Sequence, residues 1–215
     1  MTTDTDQQVK VFISHHSSQK KIAAHLKTAL DEVGCTAFVA HEDIKPTQEW
    51  AKVITTELHA MDVLIGLGGE KFNQSAWCQQ EIGWAMGRGI PAYMINAENN
   101  APPQGFIGQL QAFRTKGDTA ESRRKIFIDK LITVLSTEQS VHVKLRKNLV
   151  GCLDTSKSYQ QTNSIIYHMG KFKDYDDDDR ASVIATYNTN HQVRDCYYAR
   201  SRLTDILNIP SFKQL

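Results

Sequence analysis

Over roughly the first 135 of its 215 residues, this chain alternates between short apolar runs with strand character and longer stretches with helical period. Residues 9–14 form a β-branched run. Residues 20–33 then set Ile22, Ala23, Leu26, Ala29, Leu30 and Val33 at three- and four-residue steps, and Gly34 closes that helix. Residues 35–40 are a second strand, 41–47 a polar loop with Pro46, and 48–61 a helix with Trp50, Ile54, Leu58 and Met61 on one face. A third strand spans 62–67 and stops at Gly68-Gly69; Ser75 caps a helix that runs to Arg88, with Gly89 after it. Residues 90–95 read as a fourth strand, 96–108 as a loop with Pro102-Pro103, 111–114 as a short fifth strand and 120–135 as a closing helix. Strands this uniformly apolar belong to a parallel sheet covered by helices on both faces. Ligands of such sheets sit outside the carboxyl ends of the strands, which directs attention to the segments after Ser14, Ala40, Leu67 and Ile95.

Residues 136–140 are polar and read as a linker. Beyond them the strand signal ceases: 141–153 and 159–169 read as short helices, and 180–207 as one longer helix with Val193, Cys196, Ala199, Leu203 and Ile206 in a stripe that Pro210 ends. That stripe needs cover from the sheet domain or from another subunit, because 75 residues of short helices bury little alone. Its neighbours Arg194, Tyr197, Tyr198, Arg200 and Arg202 are residue types enriched in interfaces, so a docked helical appendage supporting self-association or partner binding is expected, the alternative being a tail that only stabilises its own domain. The 25 basic and 24 acidic residues leave a net charge of +1, which argues against a nucleic-acid or membrane surface. No apolar run approaches the ~18 residues of a membrane span. The polar stretch 1–8 lacks the basic-then-apolar order of a signal peptide, and four dispersed cysteines form no C-x-x-C pair, so a cytoplasmic location is expected.

The helix after Ser75 carries the most chemistry. Cys78, Ile82 and Ala85 make one stripe, sufficient to pack it on a sheet, while Trp77, Glu81, Trp84 and Arg88 make a second, setting one acid between two indoles. A carboxylate beside large apolar rings is partly desolvated and strongly felt by a cationic neighbour; alternatively, the indoles fill gaps and the acid is solvated. In the loop 41–47, Asp43 either accepts from a ribose hydroxyl or closes the loop on its own backbone. The hydroxyls of Ser14-His15-His16-Ser17-Ser18 suit phosphate oxygens or an ordinary helix cap, and the absence of glycine excludes a Walker loop and a dinucleotide fingerprint. The eight histidines show no metal-ligand spacing. A calcium loop starting at Asp174 would need glycine and glutamate where Asp179 and Ala185 stand, so the acids of 174–179 read as a helix cap.

Three blocks, in order, resemble the boxes of a TIR domain: Val11-Phe12-Ile13-Ser14-His15 at the first strand, the stretch from Phe38 through His41-Glu42-Asp43-Ile44-Lys45-Pro46 to Trp50 at the second strand and the following "BB loop", and Ser75-Ala76-Trp77-Cys78-Gln79-Gln80-Glu81 at the third. Pro103-Gln104-Gly105-Phe106 is similar to a loop of a bacterial subgroup. The resemblance covers residues 9–135 and implies an α/β, flavodoxin-like five-stranded parallel sheet, with residues 141–215 as an all-helical appendage. Many TIR domains cleave NAD+ at the nicotinamide–ribose bond with a glutamate in a Trp-x-x-x-Glu arrangement. The resemblance therefore implies Glu81 as catalytic acid, with Trp77, Ser14, His15, Asp43, Ile44 and Trp50 at the substrate. It further implies NAD+ as substrate rather than cofactor, self-association through TIR–TIR contacts, and a nucleotide product read by a downstream effector protein in bacterial anti-phage defence. The other reading is a non-catalytic scaffold that signals through the same contacts. The chain departs from the usual pattern in Ser18-Gln19, where an acid is common, and around Pro46-Thr47, where a glycine is usual.

Overall fold

The computed structural model describes residues 8–39, 49–96, 112–113, 120–209 and 212. The loop expected at 41–47, with Asp43 and Ile44, and the segment 103–106 lie outside the described residues. Two compact units divide the chain: Val9–Asp31 with Cys35–Lys130, and Leu131–Leu215 with Glu32–Gly34.

In the first unit, β1 (Lys10–Ser14), β2 (Thr36–Phe38), β3 (Val63–Gly68), β4 (Ala92–Asn96) and β5 (Ala112–Phe113) pair in parallel in the order β2-β1-β3-β4-β5. Four strands carry the sheet, and the two-residue β5 meets β4 only at Met94–Ala112 and Ile95–Phe113. The chain steps from β1 to β2 on one side and returns to β3 on the other. The carboxyl ends of β1 and β3 therefore flank the point where strand order reverses, with Ser14 in register with Gly66.

Helices α1 (Lys20–Asp31), α2 (Trp50–Ala60), α3 (Glu70–Gln74), α4 (Ala76–Gly87) and α5 (Ala120–Leu135) follow their strands in turn. Phe12, Phe38, Leu64 and Met94 from the sheet join Ile54, Leu58, Phe72, Cys78, Ile82 and Ala85 from α2, α3 and α4 in one buried cluster. Residues of opposite parity, Val11, Ile13, Val63, Ile65 and Leu67, are equally buried, as a sheet covered on both faces requires. Gly34 at φ +76° and Gly89 at φ +68° end the turns after α1 and α4, where a side chain would strain the backbone.

Several expectations need correction. Ile22 on α1 and Trp50 on α2 fit the helical period, yet both are exposed, because the faces that turn inward are Ala23, Leu26, Ala29 and Leu30 on α1 and Ile54 and Leu58 on α2. The five residues between Gly69 and Ser75, to which the sequence reading assigns no element, form α3, anchored by the fully buried Phe72.

The second unit holds α6 (His142–Asp154), α7 (Tyr159–Met169), α8 (Asp177–Thr189), α9 (His191–Arg194) and α10 (Ala199–Leu207). The single helix expected over 180–207 is thus three. Asn190 breaks it: its backbone is extended, its side chain accepts from Gln192 N, and its Nδ2 donates to the carbonyls of Asp154 (2.9 Å) and Ser156 (3.1 Å). Folding back lets α9 and α10 pack on α7 and α8, so the stripe expected to need outside cover finds it within the unit. Val193, Cys196, Ala199 and Leu203 are buried, with Leu207 in place of the half-buried Ile206. The expected linker is also ordered: Ser136, Thr137 and Glu138 donate backbone N–H bonds to the last turn of α5, and Glu138 O accepts from Val141 N and His142 N. Asp176 caps α8 reciprocally with Asp179, as the cap reading requires. The sequence reading missed buried Arg146 of α6, whose guanidinium meets Asp174 (2.9 Å), Asp176 (2.7 Å) and Asp179 (2.8 Å).

Candidate functional site: a cleft at the strand-order reversal

Helix α4 delivers the acid. Ser75 at its N-cap accepts from Cys78 N, and Cys78, Ile82 and Ala85 seat one side of the helix on the sheet. That rotation turns Glu81 inward over the end of β1, leaving it only 7% exposed. The expected second stripe divides. Trp77 and Glu81 line a cleft, whereas Trp84 turns away to meet the His59 ring edge-on at 4.8 Å. Arg88 Nη1 donates to the carbonyls of Leu58 (2.8 Å) and His59 (3.1 Å) at the end of α2. The acid therefore does not sit between two indoles; its partner is Ser14, whose Oγ donates to Glu81 Oε2 at 2.5 Å. No spacing signals this bond, because the two residues stand 67 positions apart.

Burial pushes the Glu81 carboxyl up from 4.5 to about 7, and the Ser14 hydrogen bond draws it partly back. Burial likewise pushes up the Cys78 thiol, one turn earlier, so it stands at neutral pH as a neutral thiol rather than a nucleophile.

The turn after β1 closes another wall. His16 caps the 3-10 turn Ser17–Gln19: its Nδ1 accepts from Ser18 N (3.1 Å), its N–H donates to Gln19 Oε1 (3.0 Å), and its carbonyl accepts from Gln19 N (2.8 Å). Between phosphate cradle and helix cap, the cap holds here, since the N–H groups of Ser18 and Gln19 serve the turn itself. His15 is buried, with Nδ1 donating to Ile13 O at 3.2 Å.

Together these groups enclose a cleft of about 430 Å³, lined by Ile13, His15, His16, Ser17, Trp50, Ile54, Ser75, Trp77, Cys78 and Glu81. Of the residues expected at a site, it unites Glu81, Trp77, His15 and Trp50, with Ser14 behind the acid; Asp43 and Ile44 fall outside the described residues. His16 and Ser17 belong to the segment whose hydroxyls suit phosphate or a cap; Ser75 and Cys78 read from sequence as cap and packing residues and Ile54 as one of the apolar face of α2, and the cleft adds all three to the site. Trp77 (57% exposed) and Trp50 (45%) present their indoles at the mouth, while the one carboxylate that the described residues bring to the lining is buried. A flat aromatic group can stack on such a rim, and positive charge arriving beside the acid is attracted through a medium drier than water. Among the described residues, no group of three His, Cys, Asp or Glu is arranged to hold a metal ion.

A family model described as "TIR domain" matches residues 11–132, more than half of the chain. Among curated proteins, none matches. Of solved structures, the crystal structure of the TIR domain of the Toll-related receptor TRR-2 from the lower metazoan Hydra magnipapillata is similar at 17% identity. The alignment covers 56% of this chain and 93% of that one, with a TM-score of 0.45.

Proposed function

Because this chain belongs to the TIR-domain family, we propose that its cleft cleaves NAD+ between nicotinamide and ribose, with Glu81 as the acting carboxylate. The observation that carries this reading is a buried acid, held by Ser14, in a cleft rimmed by exposed indoles. The chemistry asks little of a protein. The nicotinamide ring of NAD+ is cationic and departs as a neutral molecule, taking the electrons of the N–C1′ bond. Positive charge then grows on the ribose, and the Glu81 carboxylate, drawn out of water, is suited to stabilise it. Trp77 stacks on an aromatic ring of the ligand, worth roughly 1–3 kcal/mol by analogy with base stacking. An oxygen or nitrogen nucleophile then bonds C1′. A hydroxyl, water or amine yields its proton to Glu81 or to solvent, whereas a ring nitrogen attacks through its lone pair and the heterocycle takes up the positive charge or sheds a proton from its exocyclic amine. A cyclic or conjugated nucleotide, read by an effector protein in anti-phage defence, is the product this reading favours over ADP-ribose.

Incubating purified protein with NAD+ at high protein concentration, and separating nicotinamide by chromatography, tests the reading. Nicotinamide release is expected, and Glu81→Gln lowers it by about 100-fold or more with the circular dichroism unchanged. Wild-type turnover in that variant overturns the assignment. Mass spectrometry of the products then decides the acceptor, and ADP-ribose alone argues against the signal.

The exposure of Trp50 at the start of α2 favours a second reading, in which this rim is a TIR–TIR contact in a non-catalytic scaffold. Under it, Trp50→Ala weakens self-association in sedimentation experiments while NAD+ remains intact in the presence of the wild-type protein.

A further inference from the structure

Ser14 is the last residue of β1, held in register against Gly66 of β3 and 1% exposed, so neither its backbone nor its side chain has room to swing. It has one hydroxyl proton, which it donates to Glu81 Oε2, and the Cys78 thiol is its other side-chain hydrogen-bond neighbour. A buried hydroxyl that has spent its only proton cannot also donate to a ligand. With Oε2 held, the carboxylate is fixed in one orientation where Glu81 lines the cleft. We propose that Ser14 is a positioning residue, which fixes the orientation of the Glu81 carboxylate and keeps it available as the anion at neutral pH. This rests on the reading of Glu81 as the acting carboxylate and reassigns Ser14 from the ligand to the acid.

The surroundings support the assignment. Among the described residues, the titratable groups lining the cleft with Glu81 are Cys78 from its own helix and His15 and His16 from the segment after β1; α2 contributes the uncharged Trp50 and Ile54. Burial alone drives the carboxyl toward its neutral form, and the Ser14 hydrogen bond opposes that drift. Donation to a carboxylate is stronger than donation to a neutral acid, so losing the donor raises the pH at which Glu81 takes up its proton.

The test uses the full chain as wild type, Ser14→Ala and Ser14→Thr. Glu81 is titrated by carbon-13 NMR of its carboxyl carbon without NAD+, and nicotinamide release is measured from pH 5.5 to 9. In Ser14→Ala the midpoint is expected to rise by about one pH unit, and turnover at pH 7 to fall by up to about tenfold, recovering toward the wild-type plateau near pH 9. Ser14→Thr retains a hydroxyl and returns the midpoint toward wild type. An unmoved midpoint in Ser14→Ala overturns the proposal, as does a turnover loss of equal factor at every pH, which assigns the hydroxyl to the substrate instead. A shifted midpoint in a protein that releases no nicotinamide upholds Ser14 as the positioning residue and defeats NAD+ cleavage.

Discussion

Glu81 takes up its proton at about 7 rather than 4.5 because α4 carries it out of water, and that displacement has a stability cost. Below about pH 4.5 the folded and unfolded chains both hold the proton, and the group's favourable contribution is fully present. Between 4.5 and 7 the unfolded chain ionises first and the contribution is lost; above 7 the loss is complete. The full loss is on the order of 3 kcal/mol at most. Glu81→Gln is therefore expected to melt above the wild type at pH 8 and level with it at pH 4, by scanning calorimetry at both. A substitution that removes activity while raising stability marks a group kept for function. Trp77 behaves differently. It is more than half exposed at the rim, so Trp77→Ala leaves melting unchanged and raises the KM for NAD+ about tenfold, with a smaller effect on kcat.

Among the elements, α4 was legible because its signals are local: Ser75 at the start, Gly89 past the end, and an apolar stripe that requires a sheet beneath it. The break at Asn190 was not, because no glycine or proline marks it in the sequence, while the carbonyls that hold its side chain lie more than 30 positions earlier. Asn190→Ala removes both the cap of α9 and these bonds. It is expected to cost roughly 1–3 kcal/mol, read from urea unfolding. Arg146 makes the same point more strongly. Its neighbours along α6 give no hint that Asp174, Asp176 and Asp179 converge on it, and Asp179 is itself buried. Arg146→Ala leaves that carboxylate without its counter-charge, at an expected loss of roughly 3–5 kcal/mol in the same measurement.

For the whole molecule, the division between compact units falls inside α5, at Lys130–Leu131, not in the polar residues that follow it. Leu131, Ile132 and Leu135 are fully buried and belong to the helical unit. A chain ended after Ser140 keeps α5 but loses most of the unit to which these three side chains belong; with each worth ~1.5–3 kcal/mol of burial, it is expected to melt lower and to aggregate in sedimentation. The sequence by itself determined the alternation of strands and helices, the parallel sheet and the segment bearing Trp77 and Glu81, since apolar period, caps and turn residues act over a few positions. Tertiary structure alone decided that Glu81 is buried against Ser14 and not between two indoles, that Trp50 and Trp77 face the cleft mouth, and that the last helices fold back on themselves. Each of those outcomes depends on which side chains meet from distant parts of the chain, and no periodicity within one element encodes such a meeting.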